Sequence, residues 1–94
     1  MLLFSVETIR PLSKLSALEA HLVDVAQRWA KGEGVMKPVS LKAFLLLLKN
    51  ELKWYTRDHK ASPHVSIRLA NDGREVQILT ADTTELTARI RARR

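Results

Sequence analysis

SLKAFLLLLKNELKWYTRDHK, residues 40–60, is the stretch around which the rest of the chain is organised. At roughly 100° per residue, Leu41, Phe44, Leu45, Leu48, Leu52 and Tyr55 fall within one stripe, the repeat of a helix packed on a core. Length and period make it a helix and not a strand. Ser40 is its N-cap, and Val39 stands five residues before Phe44, the spacing of a hydrophobic staple. Leu47 and Trp54, seven residues apart, share a second face, which predicts a helix sandwiched between two layers. The remaining flank carries Lys42, Lys49, Lys53 and Lys60 at intervals of seven, four and seven, with Arg57 beside them. Such a line is either a solvated face or a surface for phosphates.

Upstream, residues 2–9 alternate, with Leu2, Phe4 and Val6 on one face and Ser5 and Glu7 on the other, and predict a short strand that Pro11 ends. From Ser13 the period turns helical, and Leu15, Leu18, Leu22, Val25, Ala26 and Trp29 line one side. Ser13 is one N-cap for this helix; Ser16 with Glu19 offers a capping box if it begins a turn later. Gly32 is placed to stop it. The connection of residues 32–39 is too long for a helix-turn-helix corner. His21 and His59 border the apolar stripes, where a lone histidine makes one hydrogen bond and binds no ligand.

Downstream, after Ser62 and Pro63, comes HVSIRLANDGREVQIL, residues 64–79. A two-residue type I′ turn at Asp72 and Gly73 sets Leu69 opposite Val76, Ile67 opposite Ile78 and Val65 opposite Thr80. A three-residue loop would break that parity. Asp82 and Glu85 then supply an N-cap and capping box for a last short helix, anchored by Leu86 and Ile90. It runs into ARIRARR, residues 88–94. Arg89, Arg91, Arg93 and Arg94 exceed what the helix dipole calls for, so part of the tail is left for a partner.

Residues 64–90, HVSIRLANDGREVQILTADTTELTARI, resemble the hairpin-plus-helix end of the DNA-damage-inducible DinI family, whose members bind the RecA recombinase. The resemblance covers less than a third of the chain. That family has one helix before the hairpin and an acidic last helix, where this chain has two helices and ends in arginines. No function is carried over from it.

Ninety-four residues suffice for one domain with a single core. The absence of cysteine removes disulfides, thiolate metal sites and thiol catalysis. The longest apolar run, AFLLLL, is far short of the roughly 20 residues of a membrane span, and residues 1–10 lack a basic signal n-region. A cytoplasmic protein is expected. The net charge of +6 is localised. Residues 35–63 hold six basic against two acidic groups and residues 82–94 four against two, while residues 1–34 and 64–81 are neutral. Localised positive charge favours an anionic partner.

No Gly-rich phosphate loop, GxSxG, HExxH or zinc spacing occurs, so no enzyme, cofactor or metal is expected. Glu51 and Asp58 are most simply ion-pair partners of the neighbouring bases. The sequence therefore predicts an α+β domain in the order β-α-α-β-β-α, a three-stranded antiparallel sheet with helices on one face and a basic C-terminal helix or tail at residues 83–94. The central helix would lie between the sheet and the first helix; a winged-helix variant is the alternative. The expected function is a small, non-catalytic nucleic-acid-binding accessory or regulatory protein. It would use Lys42, Lys49, Lys53, Arg57 and Lys60 together with Arg89, Arg91, Arg93 and Arg94. The alternative is an adaptor or inhibitor docking on an acidic protein surface, with homodimerisation open to either.

Overall fold

The computed structural model describes residues 3–34, 36–60 and 64–93. Leu2 of the first strand, Ser62, Pro63 and Arg94 of the arginine tail lie outside these residues. The elements are β1 (Leu3–Thr8), a short 3₁₀ helix (Leu12–Lys14), α1 (Ala17–Ala30), α2 (Leu41–Asp58), β2 (Val65–Ala70), β3 (Glu75–Thr80) and β4 (Leu86–Arg93).

The first helix starts at the later of the two serines. Ser16 Oγ accepts from the Glu19 N–H at 3.2 Å and the Glu19 carboxylate accepts from the Ser16 N–H at 3.3 Å, a complete capping box. At the other end Gly32 takes φ +77° and its N–H donates to Trp29 O at 3.0 Å, while the Glu33 N–H donates to Arg28 O at 2.8 Å. This Schellman pairing satisfies two of the last carbonyls of α1. Ser40 caps α2 as expected, its Oγ accepting from the Ala43 N–H at 3.1 Å. Val39 is 74% exposed, so no staple forms there.

The hairpin has the register that the alternation demands, with Val65 opposite Thr80, Ile67 opposite Ile78 and Leu69 opposite Val76. Asp72 and Gly73 take φ +57° and +79°, and the Arg74 N–H closes the turn on Asn71 O at 3.1 Å. These are the positive φ angles of a type I′ turn.

The segment expected to be a closing helix is a strand. β4 pairs antiparallel with β1 on one side and β3 on the other, giving a four-stranded sheet of order β1-β4-β3-β2. The element order is β-α-α-β-β-β, which also removes the helix implied by the DinI resemblance. The physical reason lies in residues 88–93, where Ala, Arg, Ile, Arg, Ala and Arg alternate with period two. As a strand this segment buries Ala88 and Ile90 beneath the helices. It also pairs the facing edges of β1 and β3, whose backbone groups a helix there would leave exposed. Asp82 and Glu85 belong to a tight β3–β4 connection instead, in which the Thr80 N–H donates to Glu85 O at 2.9 Å and the Glu85 N–H to Thr80 Oγ1 at 3.1 Å.

Both helices lie side by side on one face of the sheet, α1 over β1 and β4, α2 over β2 and β3. The central helix is therefore not sandwiched between the sheet and α1. The hairpin is half of a continuous sheet and not a wing, so the winged-helix variant is excluded. Leu22, Ala26, Phe44, Leu48, Val76, Ile78, Ala88 and Ile90 form the fully buried centre. Phe44 packs edge-on against both Phe4 (centroids 5.3 Å apart) and Trp29 (6.0 Å). One face of α2 is spent on this core. Its other face is left to solvent.

Candidate nucleic-acid interface

Packing Phe44 and Leu48 inward, with Leu41, Leu45, Leu52 and Tyr55 around them, fixes the rotation of α2 about its axis. At 100° per residue, Lys42, Lys49, Lys53 and Arg57 must then emerge on the outer side, and all four are exposed. Lys60 follows two residues past the end of the helix, with φ +49°, and is exposed too. None of these five cations takes part in an ion pair among the described residues. Glu51, expected to neutralise some of them, faces α1, with its Oε1 2.7 Å from His21 Nε2. Asp58 makes no ion pair among the described residues.

Trp54 and Leu46 share this outer side. They are 48% and 58% exposed; of the second face expected to be covered, Leu47 is half-buried and Trp54 is exposed. The Arg57 guanidinium lies 5.2 Å from the centre of the Trp54 ring, a cation–π contact one turn along the helix.

The arginines of the tail are elsewhere. Arg89, Arg91 and Arg93 alternate with the inward residues of β4 and so project from the sheet face opposite the helices. Arg89 donates to both oxygens of Glu7 across the β1–β4 pair, at 2.9 and 3.3 Å. This hydrogen bond holds the Glu7 carboxyl below its usual range and raises Arg89 above its own. Arg91 Nε donates to Glu75 Oε2 at 2.8 Å, and Gln77 Nε2 donates to Glu75 Oε1 at 2.6 Å. Glu75 is only 2% exposed, and its carboxyl is held below the ordinary range, first by Gln77 and then by Arg91. Arg68 Nε extends the row by donating to Gln77 Oε1 at 3.0 Å. Arg93 is exposed and forms no ion pair among the described residues. The two halves of the expected site are thus on opposite faces of the molecule, one unpaired and one largely neutralised.

A second feature, not anticipated from sequence, is a cleft of about 500 Å³ between the start of α1, the end of α2 and the β3–β4 connection. Tyr55 and His59 stack in its wall with centroids 4.0 Å apart, and His59 Nδ1 is 3.0 Å from Tyr55 O. His64 Nδ1 sits 3.6 Å from Asp82 Oδ2 at the rim. Beneath lies Glu19, 5% exposed, accepting from Arg10 at 2.9 Å and from Thr87 Oγ1 at 2.6 Å. Thr87 is the extra residue of a bulge in β4, between the pairs Ile78–Ala88 and Leu79–Leu86. Among the described residues no three metal-ligating side chains converge, here or elsewhere. Among the same described residues no helix is long and apolar enough to cross a membrane. No family model, curated protein or solved structure matches this chain.

Proposed function

We propose that the protein binds nucleic acid through the phosphate backbone, as a small accessory factor, using the outer face of α2. The observation that carries this reading is the row of Lys42, Lys49, Lys53, Arg57 and Lys60, all exposed and without an ion-pair partner among the described residues. The arginines of the sheet face are mostly held by Glu7 and Glu75. A cation already paired within the protein is less free to neutralise a phosphate and so displace the counterion condensed on it, whereas an unpaired one does so without first breaking a bond. Arg89 and Arg91 therefore leave the interface and α2 retains it. Arg93 stands apart from that helix and contributes only to the general field.

The test is a salt titration. Duplex DNA, single-stranded DNA and RNA are titrated at increasing salt, and log K is expected to fall at about 0.9 per phosphate contact on duplex and about 0.7 on single strands. Lys49→Ala and Lys53→Ala should each make the slope shallower by about one contact. Absence of retardation of all three polymers at low salt removes the proposal. An acidic protein surface would then be the partner to seek by capture from extract.

A further inference from the structure

We infer that the α2 face is shaped for single-stranded nucleic acid, with the Trp54 indole as the platform on which one base stacks. This rests on the phosphate-binding reading of the same helix and adds to it the strand state of the ligand.

The Trp54 indole is 48% exposed and belongs neither to the core cluster nor to the apolar residues packed against it. Trp54 lies on the flank of the basic row, and Arg57 keeps its guanidinium 5.2 Å from the ring centre. The guanidinium lies over one face of the ring, so a base stacks on the other face or takes the guanidinium's place, with a cation close by for its phosphate. Leu46, 58% exposed, falls in line with Lys53 and Arg57 at intervals of seven and eleven residues, so apolar surface recurs within the row.

An intact duplex leaves no base face free for the indole. Its base faces are covered by their neighbours, and a side chain reaches only base edges in the grooves. An unpaired strand offers its π-faces freely, and stacking on an aromatic side chain tolerates any sequence.

The experiment compares oligo(dT) with a duplex of the same length, using the full chain and following tryptophan emission and anisotropy of the labelled nucleic acid. The wild type is expected to bind oligo(dT) more tightly than duplex, with quenching of the emission. Trp54→Ala should weaken oligo(dT) binding by about 5- to 100-fold and leave duplex binding unchanged. Trp54→Phe keeps a ring and should restore most of the loss; Trp54→Leu keeps bulk without a π-face and should not. These two carry the comparison should the alanine variant melt early. Equal loss on both polymers, or on neither, overturns the inference. If Lys49→Ala weakens both polymers while Trp54→Ala weakens neither, stacking falls and phosphate binding stands. If the wild type binds neither polymer, both fall.

Discussion

Glu75 is a carboxylate almost without solvent on the sheet face that carries no helix, kept charged by hydrogen bonds from Gln77 and Arg91. Its folded-state pKa lies below the unfolded one, so its contribution to stability is present above the ordinary carboxylate range. That contribution is lost as pH falls through the lowered folded value. Glu75→Gln is expected to cost about 1–2 kcal/mol at neutral pH. The difference from wild type should shrink to nothing in acid, as urea midpoints at the two pH values would show. A difference independent of pH would mean that shape, not charge, matters at this position. Little of this was legible in the sequence, because Glu75 and Arg91 belong to strands whose pairing was unforeseen. Glu19 shows the same limit from the other side. Its capping role with Ser16 follows from a spacing of three, but its bond to Thr87, 68 residues away, depends on a bulge that no local pattern announces.

At the scale of elements, β4 is the central issue. The alternation of residues 88–93 was there to be read, but Asp82 and Glu85 imitate a capping box and the arginines imitate a helix C-terminus. Local signals favoured one state while tertiary pairing with β1 and β3 selected the other. By contrast α1, α2 and the hairpin were legible, since each carries its own period, cap or turn within a short window. Because β4 has neighbours on both sides and buries Ala88 and Ile90, a chain ending at Thr84 is expected to lose cooperative folding altogether. Far-UV circular dichroism with a urea titration checks this. A cooperative transition in the shortened chain would show that β4 is not needed to close the fold.

For the molecule as a whole, the excess charge divides into a free row on the helical side and a cross-linked row on the sheet side. Substitutions of the two kinds should separate stability from binding. Lys49→Ala is expected to leave stability within about 0.5 kcal/mol of wild type. Arg91→Ala, which leaves the Glu75 carboxylate without its cation, should cost about 1–3 kcal/mol and barely change the salt slope of binding. Denaturation and salt titration of both variants decide the matter, and the reverse pattern would move the interface to the sheet. The strand order carries a further consequence, one of timing. The middle of the sheet is filled by a late-made part of the chain, so during synthesis β1 has no neighbour and α1 covers half a sheet. The hairpin and α2 can consolidate early, but the N-terminal strand must wait until residues 86–93 have been made and slot in between. Leu3 ends opposite Arg93. Joining the chain there and opening it at the Asp72–Gly73 turn would make the slowest pairing a local hairpin, and folding would start from the opposite side of the sheet.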